Sequence, residues 1–342
     1  MTESIPRTHV FIIDGTLSRL HDGHESHAGL LYKMLREVGD PARQTVGYDP
    51  GIQLTSWRNW VDVAAGLTIN QTIEVGYATL AARYRPGDRI MLFGYSRGAY
   101  AARSLAGFIG RIGLLRRAHA TQRRVHLAFR YYEAPVLGPS AHMFSTRYCH
   151  RDVQIDMIGV WDTVAALGLP YPFLSRLAPM ATEYHDHHLG DHVRNAFQAL
   201  ALDETRSAYE PLPWARVEGW NGTLQQAWFP GAHADIGGQL GGYPKARPLG
   251  HIPFRWIVSH AESCGLILPE GWRDRVPEDP GAPAHGAFRG RARYFLSRSP
   301  RIAGQCPSEF EHDSVDARRA ARPRYRPKAR WVRGPHAEEA GA

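Results

Sequence analysis

Short apolar runs closed by polar turns alternate along this chain with stretches whose apolar residues recur every three or four positions. His9 to Ile13 is one run, closed by Asp14-Gly15-Thr16; Ile90 to Phe93 is a second, closed by Gly94-Tyr95-Ser96-Arg97-Gly98. Gln154 to Trp161 ends at Asp162-Thr163, and Gln225 to Phe229 ends at Pro230-Gly231-Ala232-His233. Runs of this length bounded by turn residues predict buried strands. Between them, Ser26 to Val38 sets Leu30, Leu31, Met34 and Leu35 on one helical face, and Ile69 to Tyr84 does so with Ile73, Tyr77 and Leu80. Ala118 to Tyr132 predicts a basic helix with an aromatic end, and Val193 to Asp203 and Ile252 to Cys264 predict further helices. Ala134 to Ser145, holding Pro135, Gly138 and Pro139, reads as a looser stretch at the edge of a cap. Gly168 to His188, rich in Pro and His, reads as a loop or lid. Pro269 to Pro283 reads as irregular, and Tyr294 to Leu296 as a late edge strand or a packing turn. Alternation of strand and helix predicts an α/β fold: a mostly parallel central sheet, helices on both faces, and a lid of loops and helices.

The second strand carries the most specific chemistry. Gly94-Tyr95-Ser96-Arg97-Gly98 fits G-x-S-x-G, and Ala99, Ala101, Ala102, Leu105, Ala106 and Ile109 after it suit a helix packed closely on a sheet. Strand, sharp turn, serine, small-residue helix is the context of a nucleophile elbow and makes the fold α/β-hydrolase-like. The plainer alternative is a Gly-rich strand-to-helix turn. The helix N-terminus beneath Ser96 offers the N–H of Arg97 to a developing oxyanion, and the turn after the first strand offers those of Gly15 and Thr16. Asp162 follows a later strand, as a catalytic acid would, or as a helix N-cap would. His233 lies on a Gly-rich loop after another strand, the place of a general base; the alternative is a structural loop histidine. His312, in Glu311-His312-Asp313-Ser314-Val315, also follows the serine and the acid in order. It follows no clear strand, so His233 is the expected base, with Asp162 rather than the nearby Asp235 on its second ring nitrogen. The D-G-T at Asp14 is similar to the signature of haloacid-dehalogenase phosphatases. That chemistry needs a second Asp two residues earlier, where Ile12 stands.

Composition narrows the classes. A chain of 342 residues with 43% hydrophobic and 11% aromatic residues has enough apolar side chains for a substantial core. Trp57 and Trp60 read as core residues or as the lining of an acyl pocket. Three widely spaced cysteines, Cys149, Cys264 and Cys306, form neither a disulfide framework nor a metal-ligand cluster, and no cofactor or metal is expected. The His-Asp-His-His run at His185 to His188 has poor zinc spacing. Met1 to Thr8 lacks the apolar core of a signal peptide, and no apolar run approaches a membrane span, so a cytoplasmic protein is expected, with export by a secretion system compatible. The net charge of +8 owes much to Arg318, Arg319, Arg322, Arg324, Arg326, Lys328, Arg330 and Arg333. Residues 317–342 are therefore expected to form a flexible basic tail beyond a single catalytic domain, 1–316. The tail is a solvated segment or a peripheral contact for an anionic membrane; nucleic acid is not an expected partner.

Taken together and in order, F-I-I-D-G-T, G-Y-S-R-G-A, W-D-T-V and F-P-G-A-H-A-D-I-G-G resemble the DUF2235 family. Its best-known members are the catalytic domains of Tle1-type phospholipase effectors of bacterial type VI secretion. The resemblance spans Val10 to Val315. It implies an α/β-hydrolase fold, a Ser96-Asp162-His233 triad, and hydrolysis of carboxylic esters, with lipid or phospholipid acyl esters as the expected substrates. The chain departs from the family pattern at Gln239, where a third Gly is usual, and at Ser18, where the pattern has Asn. A non-catalytic binding protein on the same fold, using its basic tail for an anionic partner, is the competing expectation.

Overall fold

The computed structural model describes residues 6–51, 67–164, 189–215, 219–289, 293 and 295–332. Trp57, Trp60 and the stretch Gly168 to His188 lie outside them. Seven strands form one sheet: β1 (Thr8–Ile13), β2 (Gln44–Asp49), β3 (Arg89–Tyr95), β4 (Met157–Trp161), β5 (Asn195–Ala201), β6 (Thr223–Phe229) and β7 (Glu309–Glu311). Their spatial order is β2-β1-β3-β4-β5-β6-β7, and every neighbouring pair is parallel. The chain steps from β1 to β2 on one side and returns to place β3 on the other, so the order reverses between β1 and β3. In open parallel sheets the carboxyl ends of the strands flanking such a reversal frame the ligand crevice. Asp14 ends β1 and Ser96 ends β3.

Eight α-helices are described: α1 (His27–Val38), α2 (Leu67–Ala81), α3 (Arg97–Ile112), α4 (Gln122–Glu133), α5 (Pro139–Tyr148), α6 (His233–Gly237), α7 (Arg247–Ser263) and α8 (Ser314–Ala321). Strand pleating divides the apolar side chains between two cores. Phe11, Ile13, Ile90 and Leu92 pack with residues of α2, α3 and α4, whereas Val10, Ile12, Met91 and Phe93 pack with residues of α1 and α7. Helix α1 starts at Ser26, whose hydroxyl accepts from the N–H of Gly29, and stops at Gly39, with φ 62°.

Three expectations change. The stretch Val193 to Asp203 is the central strand β5, not a helix. Ala196 to Ala201 are all buried, so both faces demand apolar or satisfied side chains and the alternation that signals a strand is missing. Ala134 to Ser145 is not merely loose: Pro139 occupies the first turn of α5, where its missing N–H costs nothing, so it starts a helix. The basic segment after residue 316 is not a free tail as far as residue 332. It continues through α8, whose Arg318 is buried and donates to the carbonyls of Pro280 and Ala282. The Tyr325 hydroxyl then donates to Asp203 at 3.0 Å, the N–H of Ala329 to Leu202 O at 2.8 Å, and Arg330-Trp331 pair with Ile302-Ala303. Of Tyr294 to Leu296, Phe295 and Leu296 lie in no strand, and Tyr294 falls outside the described residues.

Candidate active site

The elbow is built by two glycines. A Cβ at Gly98 would run into the carbonyl oxygens of Ile13 and Asp14 at the end of β1, and one at Gly94 would meet the backbone of Gly98 and Ala99. Only glycine lets α3 start this close beneath the sheet. Ser96 itself takes φ 58° and ψ −123°. Among the described residues just three that are not glycine have positive φ: Leu17, Ser96 and Asp162. Ser96 ends β3, Asp162 ends β4, and Leu17 lies in the turn after β1 beside them. Backbone held in such conformations costs about 1–3 kcal/mol per residue and persists where the surroundings over-determine it.

The sheet brings Ser96, His233 and Asp162 into one line. His233 Nε2 lies 2.9 Å from Ser96 Oγ, and its Nδ1 lies 2.5 Å from Asp162 Oδ2. The three are buried, with relative exposures of 7%, 4% and 0%. The His233 ring is held between Tyr95 and Tyr209, with centroids at 4.9 and 4.7 Å. Its backbone N–H donates to Glu204, and its carbonyl accepts from the Tyr95 hydroxyl. Burial pushes the imidazole below its usual value against the opposing pull of Asp162, which keeps it neutral and able to accept a proton near neutral pH.

Asp162 has a partner that the sequence did not reveal. Arg301 is buried and grips it with both arms, Nη1 to Oδ1 at 2.6 Å and Nη2 to Oδ2 at 2.9 Å, while the N–H of Ala201 adds a bond to Oδ1 at 2.9 Å. Burial alone would raise this carboxyl; Arg301 first, and then His233, outweigh burial and hold it well below the usual carboxylate range. A second buried pair lies alongside. Arg206 donates to Glu204 at 2.8 and 2.6 Å, and it outweighs the effect of burial to hold Glu204 down to about 2.

The other sequence candidates fall into supporting places. Asp235 does not face the second nitrogen of His233; it accepts from the N–H groups of Ala232, His285 and Gly286 and fixes the loop that carries the histidine. Asp14 is saturated from every side, accepting from Gly15 N, Ser18 Oγ, Ser26 Oγ and Tyr48 Oη at 2.6–2.7 Å. The Gly15 N–H is thereby engaged and withdrawn from the oxyanion candidates, leaving Thr16 and Arg97. Ser18 and Gln239, the two departures from the family pattern, both brace this turn: Ser18 through Asp14, and Gln239 through a bond to the Thr16 carbonyl at 3.1 Å. His312 does follow a strand, the short edge strand β7 that sequence reading had not marked. Its ring nitrogen pairs with Ser314 at 3.0 Å and its ring packs on Phe229.

Ser96 and His233 open into a cleft of about 650 Å³. Its lining includes Thr16, Leu17, Tyr95, Tyr209 and four arginines: Arg19, Arg97, Arg206 and Arg289.

The chain belongs to the family described as T6SS, phospholipase effector Tle1-like, catalytic domain, whose profile matches residues 7–260. It is 29% identical over 232 residues to an uncharacterized protein of Saccharomyces cerevisiae, an alignment covering 59% of this chain and 32% of that protein. Among solved structures, an uncharacterized protein from Pseudomonas aeruginosa has a TM-score of 0.43 at 14% identity, covering 78% of this chain and 47% of that one. The Tle1 effector bound to the VgrG spike of the type 6 secretion system has a TM-score of 0.36 at 18% identity, covering 71% and 53%. This chain thus spans about a third of the yeast relative and about half of each of these two structures.

Proposed function

We propose that this protein is a serine hydrolase that cleaves carboxylic esters of lipids, phospholipid acyl esters among them, through an acyl-enzyme. One observation carries the reading: the unbroken relay Ser96 Oγ–His233 Nε2 and His233 Nδ1–Asp162 Oδ2, at 2.9 and 2.5 Å, starting from a serine at φ 58°. Membership of a phospholipase effector family supports the lipid substrate.

His233 takes the proton of Ser96 as Oγ attacks the acyl carbon, and Asp162 holds the tautomer that leaves Nε2 free to do so. The carbonyl oxygen becomes an oxyanion, facing the N–H groups of Arg97 and Thr16. Collapse expels the alcohol, which receives the proton from His233. Water then attacks the acyl-enzyme with His233 again as base, and the carboxylic acid leaves with Ser96 restored.

The test is labelling by a fluorophosphonate together with turnover of p-nitrophenyl esters and phospholipids. Wild type is expected to label at Ser96, and a folded Ser96→Ala variant is expected to lose label and about 10³-fold or more of its rate. Full activity in that variant would remove the nucleophile.

A further inference from the structure

The cleft beside Ser96 is one-sided in charge. Arg19, Arg97, Arg206 and Arg289 line it with His24, His233 and His285, and its described lining contains no Asp or Glu. Arg206 is already neutralised by Glu204. Arg97 is different. It adjoins Ser96, is partly buried, and has no hydrogen-bond or ion-pair partner among the described residues. Desolvation lowers its affinity for a proton, and no carboxylate opposes this. A guanidinium withdrawn from water without a counter-charge is costly, and an anion reaching it gains a charge-assisted, two-pronged contact. Arg19 and Arg289 stand exposed on the same cleft, Arg289 with its guanidinium carbon 3.7 Å over the Tyr243 ring. The described lining thus offers cations to an oxyanion group and no carboxylate to an ammonium group.

We propose that the ester cleaved at Ser96 carries a net-negative oxyanion group near the scissile carbonyl, bound by Arg97 with Arg19 and Arg289, so that acidic esters are preferred to zwitterionic ones. This rests on the serine-hydrolase reading above. Short-chain lipids kept below their micelle concentration test it, because monomers remove any general attraction of a basic protein to an anionic surface. Wild type is expected to turn over dihexanoyl phosphatidylglycerol with a kcat/KM about tenfold or more above that for dihexanoyl phosphatidylcholine. Arg97→Gln should collapse that ratio towards one. The exposed pair Arg19→Gln/Arg289→Gln should also reduce the ratio. Equal kcat/KM for the two lipids in wild type, or an unchanged ratio in Arg97→Gln, overturns the proposal.

A binding arm separates it from the hydrolase reading. Calorimetry on Ser96→Ala protein should detect hexyl phosphate, weakened about tenfold by Arg97→Gln, and should detect inorganic phosphate only more weakly. No binding of hexyl phosphate overturns the proposal, and inorganic phosphate binding as tightly as hexyl phosphate assigns the site to a free anion and overturns it too. Ser96-dependent butyrate hydrolysis without a headgroup preference sinks this inference and leaves the hydrolase standing. Absence of both butyrate turnover and fluorophosphonate labelling in wild type sinks the hydrolase itself.

Discussion

Arg301 adds a charge beside the His233–Asp162 pair. A carboxylate that already faces a guanidinium attracts a proton on the neighbouring imidazole less than a bare carboxylate does. Burial, with the nearby Arg206 cation, keeps His233 below its usual value against the pull of Asp162, so the acidic limb of kcat/KM is expected to have its midpoint below pH 6.5. Replacing Arg301 by Gln strips that neutralisation. Asp162 then draws the proton to His233 more strongly, and the midpoint should rise. Arg301→Lys keeps the charge and should restore most of the profile. A pH–rate series on the three proteins decides between this role and a merely structural one, which would scale the rate equally at every pH. Arg301→Gln should also lose about 3–5 kcal/mol of stability, because it leaves a buried charge unpaired. For the two histidines the expected outcome is unequal. His233→Ala should match Ser96→Ala, whereas His312→Ala, whose bonds run to Ser314, should retain at least about a tenth of wild-type kcat. Kinetics of both variants on one soluble ester measure it. Ser96, Asp162 and His233 were legible in the sequence because each closes an apolar strand. Arg301 was not, since it follows Ser299-Pro300 in an arginine-rich stretch with nothing local to distinguish it.

The elements around the site were legible where a helix keeps one wet face or a short apolar run is closed by turn residues, and obscure where a buried strand is built of helix-forming residues. Helices α1 and α2 announced themselves by periodicity, and β3 by its apolar run before a glycine. Strand β5 read as a helix because its Ala, Gln and Leu residues are good helix formers and its buried Gln198, satisfied by Thr163, Leu212 and Gln226, interrupts the apolar run. Strand β7 is three residues long and is specified by pairing with β6 rather than by its own composition. The elbow itself is a contact between elements: Gly98 lies against the end of β1, so its tolerance is set there. Gly98→Val should lower stability by about 3 kcal/mol or more, by overpacking against backbone that has no room to yield. Gly138→Ala, at a position with nothing within 4 Å of the added carbon, should stay within about 1 kcal/mol of wild type. Denaturant titration of the two variants provides the comparison; equal midpoints would mean that α3 does not need its close approach.

At the scale of the molecule, the C-terminal segment is part of the fold that holds the site. Val315, with Tyr325 and Ala329 packed nearby, joins Leu200, Leu202 and Trp228 in a third core, and Tyr325 and Lys328 bond to Asp203, whose other contact is the N–H of Gly231 on the loop leading to His233. Truncation after Asp313 should therefore cost about 3 kcal/mol or more through re-exposure of Trp228 and its neighbours. A thermal melt and the soluble yield of the truncated protein measure this; a melt unchanged from wild type would return the segment to the status of a loose tail. The positive charge visible in the sequence was real, but its helical and strand context was not, because arginines that donate to carbonyls look like arginines left in water.

The Arg301–Asp162 pair also sets a timetable. The two residues are 139 positions apart, and synthesis delivers Ser96, Asp162 and His233 before the cation that fixes Asp162. A chain emerging from the ribosome carries Ser96 and His233 long before Arg301 is available, and N-terminal portions organise first during synthesis. Completion of the Ser96–His233–Asp162–Arg301 cluster is thus a late event in the making of this chain, reached only after the other three residues have been made.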